Sequence, residues 1–231
     1  MKAKKNYRKA IILVIAIAFS LPMFAQEEES ESPFSVGGDL VSSYVWRGSK
    51  IGTGPNIQPY VELALGNFTI GSWGSFSYHG TGDVMEADLY ASYGFDFGLS
   101  LGVTDYYYQG SPFFRYTTDS ASHAFELNLG YELGSLSISA NYILNDASMG
   151  GPANSGSDMY FELGYAFEYF DIFVGAGDGW HTSDAEFAVC NVGISTSSDI
   201  KITDSFSLPV SGAVIVNPEK EEFNLVVGIS F

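Results

Sequence analysis

Phe125-Glu126-Leu127-Asn128-Leu129-Gly130-Tyr131-Glu132-Leu133-Gly134-Ser135-Leu136-Ser137-Ile138-Ser139-Ala140-Asn141-Tyr142 decides the fold. Phe125, Leu127, Leu129 and Tyr131 share one parity, with Glu126, Asn128 and Gly130 on the other. After the tight Leu133-Gly134 break, Leu136, Ile138, Ala140 and Tyr142 alternate with Ser137, Ser139 and Asn141. A period of two is the signature of a strand with one apolar and one polar face, and the short break joins two such strands as a hairpin. The same alternation runs from Met159 to Phe167 and from Phe223 to Phe231. It predicts an all-β chain of about twelve strands, beginning near Phe34, Asn56, Phe68, Val84, Leu99, His123, Ser135, Ser157, Phe170, Glu186, Ser205 and Glu222.

Alternation is shared by soluble sandwiches and by transmembrane barrels, and three features separate them. Tight connections (Gly66-Asn67, Asp96-Phe97-Gly98, Leu133-Gly134, Glu168-Tyr169) alternate with longer ones around 48–54, 80–83, 109–122 and 145–156. Short periplasmic turns opposite long external loops give this rhythm in up-and-down barrels. The polar parity is dominated by Gly and Ser, and beyond residue 25 the chain has three lysines, Lys50, Lys201 and Lys220. A water-exposed sheet carries more lysine, especially at its edges. Tyr93, Tyr131, Tyr165 and Phe167 fall beside the tight turns, and Tyr44 and Trp46 toward the other rim, as two aromatic girdles would require. Misfits are Pro59 and Pro209 inside predicted strands, which cost ladder bonds, and Asp105 on the apolar parity.

The ends agree with export. Lys2, Lys4, Lys5, Arg8 and Lys9 precede an apolar run at 10–19 and Pro22-Met23-Phe24-Ala25, the order of a secretory signal peptide spanning 1–25. An acidic segment, 26–33, then leads to a barrel over 34–231. Of ten basic and 27 acidic residues, five basic ones leave with the peptide, so the mature balance is −22. Such a chain repels nucleic acid, whose binding needs clustered Lys and Arg. One cysteine, Cys190, allows no internal disulfide. No cofactor or metal motif is present. Phe231 ends an alternating strand on an aromatic, resembling the signal read by the outer-membrane assembly machinery. The expected partners are therefore that machinery, outer-membrane lipid and small solutes.

Asp39-Leu40-Val41-Ser42-Ser43-Tyr44-Val45-Trp46-Arg47-Gly48-Ser49, with Pro55 and Gln58, resembles the opening block of the TorF-type putative porin family. Gly71-Ser72-Trp73-Gly74-Ser75, Glu86-Ala87-Asp88-Leu89-Tyr90 with Gly94, Phe125-Glu126-Leu127 and Phe161-Glu162-Leu163 extend the likeness. The family has Ser-Asp-Tyr where this chain has Ser42-Ser43-Tyr44, so one acid is absent. The resemblance implies an outer-membrane porin-like barrel and no particular substrate.

Parity places Glu62, Glu86, Asp88, Glu126, Asp158 and Glu162 in the lumen with Tyr60, Tyr90 and Tyr160. Arg47, at the end of the first strand, opposes them at a constriction. Carboxylates lining a pore favour cations over anions. The expectation is a narrow channel for passive diffusion of small solutes or cations through an acid-lined lumen. The alternatives are a structural or plugged barrel, with 111–116 as an inward or partner-contacting loop, and a barrel lipid hydrolase. The last would need His79, His123 or His181 paired with a serine. No nucleophile-elbow or metal-ligand spacing is present, and the reading is non-enzymatic.

Overall fold

A computed structural model describes residues 32–79, 83–116, 121–146 and 156–231. The predicted signal peptide and most of the acidic segment lie outside the described residues, as do parts of three of the long loops. Twelve antiparallel strands close into a barrel: β1 (Phe34–Val41), β4 (Asn56–Leu65), β5 (Phe68–Ser77), β6 (Met85–Gly94), β7 (Leu99–Tyr107), β8 (His123–Leu133), β9 (Leu136–Ile143), β10 (Met159–Ala166), β11 (Asp171–Gly179), β12 (Ala185–Lys201), β13 (Ser207–Asn217) and β14 (Glu222–Ser230). Every barrel strand pairs with its neighbours in sequence, and β1 closes on β14 through Asp39↔Ser230, Leu40↔Ile229 and Val41↔Gly228. Two short strands, β2 (Tyr44–Trp46) and β3 (Ser49–Ile51), pair only with each other. They belong to the connection from β1 to β4.

The alternation resolves into an inside-out barrel. Leu40, Ile57, Val61, Ile70, Leu89, Leu101, Leu127, Ile138, Leu163, Ile172, Ile194 and Leu225 face outward, each between 40% and 64% exposed. Asn56, Gln58, Ser75, Thr104, Glu126, Asn141, Glu162 and Asn191 face inward and are buried. A water-soluble barrel does the reverse, because apolar area left in water costs roughly 25 cal/mol per Å². The hydrogen-bonding debt of the backbone is met by closure, which leaves no free sheet edge along the wall.

Tight turns collect at one end of the barrel, the turn end, at 66–67, 95–98, 134–135, 167–170 and 202–206. The long connections lie at the other, the loop end. Two connections there, 180–184 and 218–221, are also short, so the length alternation holds for the first two-thirds of the chain. The stretch after Ser195 is strand: β12 continues to Lys201, paired to β13 down to Lys201↔Ser207. Pro59 faces Gly38 of β1, and the β4–β5 ladder skips from Ile57↔Phe76 to Tyr60↔Trp73 around it. The strand thus tolerates the missing donor without losing register.

Candidate functional site

The β2–β3 hairpin enters the lumen and fills its loop-end half. Trp46 pairs with Ser49, leaving Arg47 and Gly48 as a two-residue turn with φ of 47° and 86°. Positive φ at both positions is the geometry that suits a tight hairpin to strand twist, and it favours Gly. Gly48 is required twice over, since a Cβ there would run into the backbone carbonyl of Cys190. Cys190 is fully buried where the β11–β12 register slips, between Gly175↔Asn191 and Ala176↔Val189. The hairpin tip thus seats on a bulge in the opposite wall.

Arg47 anchors the hairpin. Its Nη1 and Nη2 donate to the two oxygens of Glu126 at 2.7 and 2.8 Å, and both side chains are 1% exposed. The guanidinium lies 4.4 Å from the Trp46 ring centroid and 4.4 Å from that of Tyr160, between two aromatic faces. Bidentate pairing plus cation–π contact is a use that lysine cannot reproduce. Glu126 Oε2 also accepts from Tyr106 Oη at 2.9 Å and Asn128 Nδ2 at 2.7 Å. His181 Nε2 accepts from Trp180 Nε1 at 2.9 Å and lies 3.5 Å from Arg47 Nη1. Both neighbours are donors, so the ring carries its hydrogen on Nδ1. Burial, then the Arg47 and Lys220 charges, hold His181 well below the usual histidine range.

The hairpin's two faces meet different walls. Tyr44 and Trp46 pack with Trp73, Tyr106 and Trp180, at ring centroid distances of 5.5 Å for Tyr44–Trp73 and 4.8 Å for Trp46–Trp180. Val45 joins Val41, Phe173, Ala213, Ile215 and Val226, an apolar patch on the inward faces of β1, β11, β13 and β14. The lumen at this level is therefore aromatic on one side and largely aliphatic on the other.

Tyr44 and Trp46 are accordingly not girdle residues: they are 4% and 9% exposed, inside the barrel. Their alternation is that of the hairpin, which the parity of β1 does not distinguish from a longer first strand. Arg47 is likewise the tip of this hairpin and not the end of β1. Tyr93, Tyr165 and Phe167 are 43–44% exposed on the outer face beside the tight turns, with half-buried Tyr131 among them. Phe231 is 72% exposed beyond β14, its backbone N and O paired with Gly38.

The predicted lumen carboxylates separate into groups. Glu126 holds Arg47. Glu86 and Asp88 are buried on β6 beside Tyr44 and the backbone N–H of Tyr107, which Asp88 accepts at 3.2 Å. Asp158, just before β10, accepts the Trp180 backbone N–H at 3.1 Å and so fastens the β11–β12 connection. Glu162 takes hydrogen bonds from Tyr160 Oη and Asn191 Nδ2. Tyr90 Oη donates to Glu62 Oε1 at 2.6 Å, and Tyr60 is buried on the same inner wall, in register with Trp73.

Below the hairpin the lumen opens into a chamber of about 200 Å³, reaching the tight turns. Glu62, Glu132 and Glu162 line it with Tyr90, Asn128, Asn141 and several small residues, and among the described residues no Lys, Arg or His does. Asn128 and Asn141 lie on the polar parity of β8 and β9, and Glu132 continues it, but none of the three is among the residues predicted for the lumen. Trp180 and His181 lie in the connection between β11 and β12, and His181 is 2% exposed in the lumen. No periodic signal marks them, because they sit in a connection.

No group of three His, Cys, Asp or Glu side chains among the described residues is arranged to hold a metal ion. The ring nitrogens of His123 meet Asp105 and the Phe113 carbonyl, whereas both His181 contacts, from Trp180 and Arg47, fall on Nε2.

These features define a class: a closed twelve-stranded antiparallel barrel with an apolar exterior and a hairpin folded into its own lumen. The chain belongs to the bacterial family described as proteins of unknown function (Gcw_chp), which matches residues 25–207. No curated protein matches it. Among solved structures it is similar to the KdgM porin, at 11% identity over 84% of this chain and 98% of that one, with a TM-score of 0.47. A variant of the Rhodopseudomonas blastica porin matches at 16% identity over 82% of this chain and 61% of that one, with a TM-score of 0.37.

Proposed function

We propose that the chain is an exported outer-membrane barrel of porin type, in which small solutes and cations enter an acid-lined chamber and passage beyond it is set by the Arg47 hairpin. The observation that carries this reading is the inversion of the barrel, apolar outside and polar within, around a chamber whose wall, among the described residues, holds three carboxylates and no basic side chain. An outward apolar band matches hydrocarbon, and the uncompensated carboxylates raise the local concentration of cations. The signal-peptide pattern at 1–25 and the resemblance to TorF-type porins support the same reading.

The hairpin makes a specific demand on it. Val41 and Asn56 are already register partners, so residues 42–55 can be replaced by an Asn-Gly turn without disturbing the barrel ladder. In planar bilayers under a salt gradient, the full chain is expected to conduct weakly with cation preference. The hairpin-less variant should conduct severalfold more with the same preference. Anion preference, or silence from the hairpin-less barrel, would sink the channel reading. A silent full chain beside a conducting variant would support the second reading, a barrel kept shut by its own plug, which the close packing around Arg47 favours.

A further inference from the structure

Asp105 breaks the outward face of β7. Its neighbours along that face are Leu101 and Val103, and its register partners are Leu89 and Phe125. A carboxylate on an apolar wall is costly unless it is paired and covered. Here it is both. His123, on the same face of the neighbouring β8, sets its Nδ1 2.8 Å from an Asp105 carboxylate oxygen, and its Nε2 contacts the backbone carbonyl of Phe113. His123 is fully buried although it points away from the lumen, because residues 111–116 fold back over it. Tyr107 and Tyr116 stack on its ring at centroid distances of 5.1 and 4.4 Å. Tyr107 Oη donates to the Ser111 carbonyl at 2.6 Å, completing the fastening.

The fold-back turns a polar flaw in the wall into an aromatic cap. Its outer surface presents Phe114, 88% exposed, beside Tyr116 at 50% and the exposed Arg115. Directly toward the turn end lie Leu89 and Leu127, each 49% exposed, so the cap continues the apolar belt at its loop-end margin. Large apolar rings next to one cation suit the boundary between acyl chains and anionic headgroups.

We propose that residues 113–116 are a lipid-surface anchor, with Phe114 inserted at the headgroup boundary of the outer leaflet and Arg115 directed at anionic headgroups. The Asp105–His123 pair holds the anchor against the wall. This rests on the membrane-barrel reading, and the test separates the two. Phe114→Trp, Leu127→Trp and Asp184→Trp variants of the full chain are refolded into phosphatidylcholine vesicles with plain or brominated acyl chains. Trp46, Trp73 and Trp180 supply an unquenched background from inside the lumen. Phe114→Trp is expected to be quenched comparably to Leu127→Trp, with Asp184→Trp unaffected. Combining Asp105→Leu with His123→Leu, which keeps the wall apolar, should abolish quenching at position 114 alone. Quenching at 127 without quenching at 114 overturns the anchor and leaves the barrel reading intact, pointing to a protein partner for the cap. Absence of quenching at both positions overturns the barrel reading itself. Quenching at 114 that survives the double substitution overturns the role of the pair.

Discussion

Down the inward face of β8, Ala124, Glu126, Asn128, Gly130 and Glu132 pass from a packed interior to an open one. Ala124 and Glu126 are 0% and 1% exposed, beneath the hairpin. Asn128, whose Nδ2 donates both to Glu126 and to Asn141, forms the boundary. Gly130 and Glu132 border the chamber. The same strand, with the same alternation, thus contributes a carboxylate to each half of the lumen. Glu126 meets a guanidinium, a tyrosine hydroxyl and an amide, whereas Glu132 has no basic neighbour among the described residues of the chamber wall. An inward carboxylate is a structural element or a chamber-facing charge according to what the β1–β4 connection places beside it.

That contrast can be broken first at Glu126. Glu126→Ala leaves Arg47 buried without its partner and should destabilise the barrel by about 3–5 kcal/mol, read from the denaturant midpoint of the refolded protein. A loss no larger than that of a chamber substitution would mean that the two halves do not differ. Gly48→Ala should cost at least about 1–2 kcal/mol from the left-handed backbone alone. Because the new Cβ would meet the Cys190 carbonyl, it should also displace the tip and raise conductance, so a stability loss without a conductance change would argue against seating on the bulge.

The third test uses pH. His181 is held neutral in the folded protein, with its affinity for protons below the ordinary value of 6.5. Below pH 6.5 the unfolded chain therefore binds more protons at this site than the folded one. Stability falls as pH drops through that value and is restored above it. His181→Gln should flatten this acid slope between about pH 6.5 and 5, measured as the midpoint against pH; an unchanged slope would remove His181 from the account. The smallest stability effect belongs to the chamber. Glu132→Gln should shift stability by less than about 0.5 kcal/mol while lowering cation preference in reversal-potential measurements on the hairpin-less barrel.

Much of this barrel was legible in the sequence because strands with one apolar and one polar face are read by parity, and parity survives without tertiary information. The predicted starts at Phe34, Asn56, Phe68, Leu99, His123 and Glu222 coincide with the observed ones, and Val84, Ser135, Ser157, Phe170, Glu186 and Ser205 fall within two residues. The inward position of Glu62, Glu126 and Glu162 follows from the same rule. Parity is silent about connections. Tyr44, Val45 and Trp46 alternate as β1 does, and nothing periodic says that the chain has turned into the lumen. The signals that bear on it are Ser42-Ser43, where alternation pauses, and Arg47-Gly48, whose left-handed pair ends a strand of only three residues. His181 and Trp180 were opaque for the same reason, and His123 because its cover comes from a loop.

The hairpin's place in the chain order carries a consequence for assembly. It lies between the first and second barrel strands, whereas the seam joins β1 to β14, the last strand. Besides Trp73 of β5 and Tyr106 of β7, its seats lie on β8, β10, β12, the end of β13 and the connections after β11 and β13, where Ser49 accepts hydrogen bonds from Asn217 and Lys220. An insert made early must wait for late strands before its contacts exist, and must already be inside when the seam shuts. The hairpin is thus a core around which the wall is wound, and the final β1–β14 pairing is the step that traps it.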